Sequence, residues 1–417
     1  MNGQTIPPID TSDNNSKNHD LTSKSDENMK ENGNGSTRLW LENMFKKYYF
    51  KSNSNIETDS FFSEREFGFK LFDGKIRRHL TFRDHKELFA NIMRYVPSDI
   101  YCSSARYQNP TANMEDKGWK GSDLIFDIDG KDLNLACAKV HNLTHCKQCN
   151  GFTNGILSKC SICESSLVEM IDLPCKKCIS ALKVEVNKLV TILLDDFGIK
   201  KDTLYIYFSG NNGFHIKVVD DVFFNSSSQK RRAYIQYLQG KDFIIDNLGF
   251  KINKINNEVT ILPNKTLFNS GWRARILHEL GLKTRNHKLD ERSFNKIIHF
   301  NNTHETTLYH YISEKISNFA VRIDPSVTMD VHRIFRLSGT INSKSGLIKT
   351  VCNNIQTFDP FVDACVIGDS ITKVNSKVSL KLSLNNRRFE IKVGINRVPE
   401  FVAVYLVLKH LGDYIDA

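Results

Sequence analysis

No stretch of the 417-residue chain stays apolar for the roughly 18–20 residues that a membrane-spanning helix needs. Nor does the polar N-terminus carry the apolar segment of a secretory signal. A soluble, unexported protein with no membrane attachment is the expectation. Large apolar side chains are almost missing from residues 1–36, which are rich in Asn, Ser, Lys, Asp and Gly. Such a segment cannot bury enough surface to offset its ordering entropy, so a disordered tail is predicted there. No internal repeat is present, which excludes repeat architectures. Cysteine is scarce outside one region: only Cys102, Cys352 and Cys365 lie beyond residues 137–178, and they read as ordinary buried thiols.

What remains is an ordinary globular composition, 40% hydrophobic and 25% charged. The length allows one large domain or two or three smaller ones. The net charge of +10 points to a polyanionic partner, because surplus Lys and Arg raise encounter rates with phosphate backbones. Order is expected from Leu39, where Trp40, Leu41, Met44, Phe45, Tyr48 and Tyr49 recur at helical spacing. Two aromatic-rich segments around Asp73-Gly74-Lys75 predict a β-hairpin. Leu124 to Asp129 is a short buried strand, and Ser180 to Phe197 an amphipathic helix stopped by Gly198. Strands follow at Thr203 to Phe208 and Phe214 to Val219, joined by a turn at Ser209 to Gly213. Residues 225–315 read as mostly helical, Val321 to about Val351 as rich in strands, and the rest as a short α/β tail.

Asp127 and Asp129 stand out, because a D-x-D on a strand sends both carboxylates to one face. Phe126 and Ile128 then point into the core and hold the pair rigidly. Two carboxylates a few Å apart repel, and a divalent cation relieves that repulsion. Two such cations can clamp the attacking and leaving oxygens of a phosphoryl transfer. Alone, a D-x-D can equally cap a turn. Two further features bear on the choice. Ser209-Gly210-Asn211-Asn212-Gly213-Phe214-His215 offers small residues for close backbone approach to a phosphate, and an imidazole donor. Asp324, followed by Arg333, Arg336 and Lys344, adds a carboxylate beside cations able to neutralise a triphosphate.

Together these motifs resemble the small, catalytic subunit of the archaeal and eukaryotic type of DNA primase. The matching pieces run in order from Arg65-Glu66-Phe67-Gly68-Phe69 and Arg78-His79-Leu80-Thr81-Phe82, through Tyr101 to Pro110 and Lys117 to Asp129, to Asp195-Asp196-Phe197-Gly198, Phe208 to His215 and Arg336 to Leu347. The resemblance covers about residues 39 to 350. It implies an α/β (α+β) catalytic unit over residues 37–417, built on a small RRM-like sheet, with a zinc-binding insertion at 137–178 and a helical subdomain at about 225–315. It implies synthesis of short RNA primers on single-stranded DNA from nucleoside triphosphates, with DNA primers also open, in DNA replication. By the family pattern Asp127, Asp129 and Asp324 bind catalytic Mg²⁺ or Mn²⁺, Asp330 being structural, and Arg78, Ser209, Gly210, His215, Arg336 and Lys344 hold the nucleotide. It also implies a heterodimer with a primase large subunit that carries the iron–sulfur cluster. The location implied is the cytoplasm, at an archaeal nucleoid, or the nucleus in a eukaryote; the motif wording leans archaeal.

The sequence departs from that pattern at three places. Asn211 and Asn212 stand where the family has an Arg pair, and Asn342 where it has His. Asn offers hydrogen bonds without charge. Either nearby cations compensate, with Arg273 and Arg275 as candidates, or nucleotide affinity is low. The alternatives are therefore a nucleic-acid-binding zinc protein whose transferase site has decayed, or a stand-alone primase-polymerase.

Seven of the ten cysteines lie between Cys137 and Cys178, mostly as C-x-x-C pairs, the spacing of tetrahedral zinc knuckles. Two nested sites are predicted. The inner is Cys146, Cys149, Cys160 and Cys163; the outer is Cys137, His141, Cys175 and Cys178. His145 is the alternative to His141, but reads better as a surface residue. The outer set fits the family's single zinc motif, and the inner ribbon looks like an insertion into it. Four protein ligands leave no open position, so one or two Zn²⁺ ions here would be structural.

Overall fold

Leu124–Asp129 forms a strand because Leu124, Ile125, Phe126 and Ile128 are all buried, while Asp127 and Asp129 stay half-buried at its end. It pairs along its whole length with Gly213–Val218, antiparallel, with Asp127 opposite His215 and Asp129 opposite Gly213. The sheet continues through Leu204–Phe208 to Thr350–Val351. Its apolar face, with Phe126, Ile128, Phe214 and Ile216, is covered by the helix Lys176–Asp195. That helix buries Ile179, Leu182, Val186, Leu189 and Leu193, a stripe at helical spacing. Gly198, with φ +66°, lies just beyond its C-terminus, as expected for a left-handed stop.

The computed structural model describes residues 35–241, 250–255, 258–263, 270–279, 284–285, 288–289, 297–299 and 305–416. A second sheet orders Ile334–Arg336, Asp99–Ser103, Phe67–Lys70 and Ile76–Leu80. The last two strands are the expected hairpin, and Gly74 takes φ +81° in its turn. The first helix, Gly35–Lys51, buries the six aromatic and apolar residues whose spacing predicted it. It includes residues 35 and 36 of the segment expected as a tail; residues 1–34 of that segment lie outside the described residues.

Two stretches differ from expectation. Within 225–315, helices at Ser228–Leu238, Gly271–Glu279 and Glu305–Phe319 are accompanied by strands at Phe250–Ile255, Glu258–Pro263 and Ile297–His299, which share a sheet. Phe250 and Ile252, then Val259 and Ile261, alternate with polar or smaller positions, a period-two pattern inside a polar region. From Val321 to Val351 the chain is mostly turns around one short helix, Pro325–Met329. Gly339 and Gly346 take φ +79° and +76° there, and a Cβ on Gly339 would lie 2.1 Å from the Asn55 carbonyl. Beyond it, Ile371–Ser376, Gly394–Pro399 and Gly412–Ile415 form a further sheet against Glu400–Leu408, a helix buried from Phe401 to Leu408.

Candidate active site and cysteine clusters

Strand alternation puts Asp127, Asp129, His215 and Lys217 on the face opposite the covering helix. Gly213 is required at the crossing: a Cβ there would lie 2.7 Å from the Ile128 carbonyl and 3.3 Å from Asp129 Cα. Asp324 arrives from a distant segment, and its backbone N–H donates to the Asp127 carbonyl at 3.1 Å. Its carboxylate caps the helix Pro325–Met329, accepting from Ser326 N at 2.9 Å and Ser326 Oγ at 2.7 Å. Asp330 accepts from His332 N at 2.9 Å, a turn-forming contact.

Burial, then the charge of Asp129 and, further down, Asp324 and Asp132, push the Asp127 carboxyl up to about 7. Burial also raises Asp129 and Asp132. His215 Nε2 lies 3.4 Å from Asp127 Oδ1. Burial, reinforced by Lys349, Arg336 and Arg333, holds its pKa well below the usual imidazole value, so the ring is neutral at physiological pH. Among the described residues its Nδ1 has no hydrogen-bond partner.

Three of the arginines singled out in the sequence, Arg336, Arg78 and Arg275, engage carboxylates. Arg336 forms a close ion pair with Asp99 and donates to the Ile341 carbonyl at 2.8 Å. Arg78 donates to Glu66 at 3.0 Å, and Glu66 also receives the buried Lys117 ammonium at 2.8 Å. Arg275 grips Asp196 through two bonds of 2.6 and 3.0 Å, and Arg273 is buried in the same helix.

The Ser209-to-Gly213 turn is clamped from behind. Ser209 N donates to the Gly213 carbonyl at 2.9 Å, and Ser345 Oγ donates to the Gly210 carbonyl. Gly210 takes φ +89°, and a Cβ there would meet Asn342 Cβ at 2.9 Å and Lys349 N at 3.1 Å. Each of the three asparagines has a defined partner. Asn342 Nδ2 donates to the Ser209 carbonyl at 3.3 Å, and Asn212 Nδ2 donates to both oxygens of Asp172 at 3.1 and 2.9 Å. Asn211 Oδ1 accepts from Lys409 Nζ at 2.9 Å. In front of the turn opens a cavity of about 450 Å³, with Asp129 at its edge and Lys70, Lys131, Asn211, Lys344 and Lys409 in its wall. The structure thus brings Lys344 to this cavity, while Arg78, Ser209, Gly210, His215 and Arg336 lie outside its wall.

Among the described residues, two clusters bring four Cys or His ligand atoms within 4.8 Å of one another. They are Cys137, His141, Cys175 and Cys178, and Cys146, Cys149, Cys160 and Cys163, the two predicted sets. Asp127, Asp129 and Asp324 are not gathered this tightly. Cysteine Sγ atoms lie 3.5 Å apart at Cys137–Cys178, 3.6 Å at Cys146–Cys163 and Cys149–Cys160, and 3.9 Å at Cys175–Cys178. These match the edge of about 3.8 Å in a tetrahedron with Zn–S near 2.3 Å. His141 Nε2 points at Cys178 Sγ from 3.1 Å. His145 instead pairs with Glu169 at 3.2 Å and stacks on Phe152, half-buried rather than on the surface.

The sequence model of the DNA primase small subunit matches residues 166–353. The DNA primase small subunit PriS of Nitrosopumilus maritimus is 40% identical over 383 residues, covering 89% of this chain and 97% of that protein. The chain belongs to the DNA primase small-subunit family. Its similarity extends to the PriS proteins of Cenarchaeum symbiosum, 35% identical over 90% of the chain and 98% of the relative, and Archaeoglobus fulgidus, 30% identical over 91% and 99%. The protein is therefore an archaeal-type primase subunit, a DNA-directed nucleotidyltransferase of DNA replication.

The Asp127–Asp129 pair and Lys409 lie outside the residues matched by the family model. Lys70, Lys131, Lys139 and Lys409 are the cavity lysines that motif reading missed. Lys131 could have been found, two residues past Asp129. Lys409 could not, since 198 positions separate it from Asn211 and no local pattern marks it. No helix among the described residues is long and apolar enough to cross a membrane.

Proposed function

We propose that the chain synthesises short RNA primers on single-stranded DNA by two-metal nucleotidyl transfer, with Asp127, Asp129 and Asp324 as the ligands of Mg²⁺ or Mn²⁺. The observation that carries this reading is the carboxylate pair on one rigid strand face, with Asp324 tied to Asp127 through its backbone and Asp129 lining a lysine-rich cavity. The residues suit a divalent cation: burial and mutual repulsion raise the Asp127 carboxyl, and a cation is the usual relief for such a group. Bound there, the cations supply charge neutralisation at the phosphoryl group and a more acidic primer hydroxyl.

The chain's own groups do the rest. Lys344 and Lys131 face the triphosphate in the cavity. Ser209 and Gly210 shape the turn that presents Asn211 to the cavity, and neutral His215 orients Asp127. Arg336 and Arg78, tied to Asp99 and Glu66, brace the second sheet. The domain reading is one catalytic unit over 37–417 with an RRM-like sheet and a zinc-binding insertion at 137–178, each cysteine cluster holding a structural Zn²⁺. The partner is a primase large subunit in a heterodimer. The test is primer synthesis on a single-stranded template with Mg²⁺ or Mn²⁺ and nucleoside triphosphates, with the large subunit present. Synthesis should be lost on Asp127→Ala and Asp129→Ala; undiminished synthesis would sink the reading.

A further inference from the structure

Lys409 closes the helix Glu400–Leu408, whose complete burial from Phe401 onward fixes where the next side chain goes. That side chain is itself buried, with only 5% of the residue exposed, yet it lines the cavity beside Asp129. Its ammonium donates to two neutral acceptors, the Asp172 carbonyl at 2.6 Å and Asn211 Oδ1 at 2.9 Å. Three N–H groups are available on an ammonium, so one is left for the cavity. Among the described residues no carboxylate forms an ion pair with it, and the Asp172 carboxylate is occupied by Asn212.

Three other buried cations have carboxylate partners, Arg336 with Asp99, Lys117 with Glu66 and Arg65 with Asp123, whereas Lys349, like Lys409, donates to a backbone carbonyl, that of Arg336, but lies outside this cavity. An ammonium this buried, hydrogen-bonded only to neutral acceptors and sharing the nearby Asp172 carboxylate with Asn212, carries a desolvation cost that an anion in the cavity would reduce. Burial lowers the Lys409 pKa to about 8; the nearby Asp172 carboxylate opposes that shift and Lys344 adds to it. Lys344, Lys131, Lys139 and Lys70 line the same space, outnumbering with Lys409 its carboxylates Asp129, Glu169 and Asp172. An acceptor with several negative oxygens fits this wall better than a single carboxylate does.

We propose that Lys409 is a phosphate-binding residue: together with Lys344 it receives the polyphosphate tail of the incoming nucleotide, and Asn211 seats its ammonium for that purpose. This rests on the nucleotide-transfer reading above. It makes the C-terminal unit part of the substrate site, supplied from beyond the residues that the family model matches. Asn211 and Lys409 then play complementary parts, since the side chain at 211 holds the cation and the side chain at 409 is the cation.

This pairing can be tested by moving the charge. In the full chain with its large subunit, binding of a nucleoside triphosphate and of pyrophosphate is measured for the native protein, Lys409→Gln, and the double variant Asn211→Arg with Lys409→Gln. Lys409→Gln should weaken both ligands by about tenfold or more and raise KM more than it lowers kcat. The double variant should recover most of that loss, because an arginine at 211 returns a cation to the same wall. Equal binding by the native protein and Lys409→Gln overturns the proposal. A loss that the double variant does not recover overturns it as well, and assigns Lys409 to support of the Asp172 backbone. Where Lys409→Gln does not fold, Lys409→Arg takes its place and should keep affinity within about threefold; a loss as large as tenfold would overturn the proposal. Absence of triphosphate binding in the native protein would instead refute the nucleotide-transfer reading itself.

Discussion

Asp127 is held in a conflict that the fold maintains. Burial and the neighbouring Asp129 and Asp324 raise its pKa from the ordinary carboxylate value to about 7. A group with a raised folded-state pKa retains its proton in the folded protein where the unfolded chain has already lost it. Stability therefore falls as pH rises from about 4 to about 7, and the cost is fully present above that window. Replacing Asp127 by Asn removes it. In divalent-free buffer, Asp127→Asn should raise the melting temperature near pH ~8 by an amount reflecting roughly 1–4 kcal/mol, and by far less near pH ~4. Equal shifts at both pH values would contradict this account. Added Mn²⁺ should stabilise the native protein at the higher pH and leave the variant nearly unmoved. At this scale the sequence was readable where chemistry is local. The D-x-D pair and both cysteine sets follow from spacing. The partners of Arg336 and Arg78 do not, since Asp99 lies 237 positions from Arg336 and nothing near either residue advertises the pairing.

The helix Lys176–Asp195 ties the outer cysteine cluster to the catalytic strand. Cys175 is its N-cap, Cys178 is buried in its first turn, and the remaining length covers the sheet that carries Asp127 and His215. The inner cluster sits on a small separate sheet of Leu143–Cys146, Phe152–Asn154 and Val168–Ile171. Losing the two clusters should therefore have different consequences. Cys178→Ser should speed hydrogen exchange throughout residues 176–195 and lower the melting temperature by several degrees, because structural zinc contributes directly to folding. Cys160→Ser should confine faster exchange to residues 143–171. Identical exchange patterns for the two variants would show that the module is one cooperative unit. Element prediction succeeded where periodicity was strong, as in the first helix and the Gly74 hairpin. It failed at 250–263, where brief alternation was lost among polar residues, and at 337–349, where Gly339 and Gly346 make turns that no apolar period announces.

The whole molecule carries a net charge of +10, yet Arg336, Lys117 and Arg65 are locked in ion pairs and Lys344 and Lys409 line the 450 Å³ cavity. Single-stranded DNA should then be held by the remaining, solvent-exposed Lys and Arg. Its affinity should fall roughly 10–100-fold between about 50 and 300 mM salt, whereas a salt-independent affinity would contradict electrostatic binding. Wholeness matters in a second respect: the cavity wall combines Lys70 from the second sheet, Lys131 and Asn211 from the catalytic sheet and its edges, and Lys409 from the C-terminal helix. The measurement that bears most directly on the central claim is anomalous scattering from crystals grown with Mn²⁺ and a non-hydrolysable nucleoside triphosphate. The account predicts manganese peaks among Asp127, Asp129 and Asp324, with the triphosphate in the cavity and zinc peaks at the two cysteine clusters. Manganese and triphosphate bound elsewhere, with the three carboxylates uncoordinated, would contradict it.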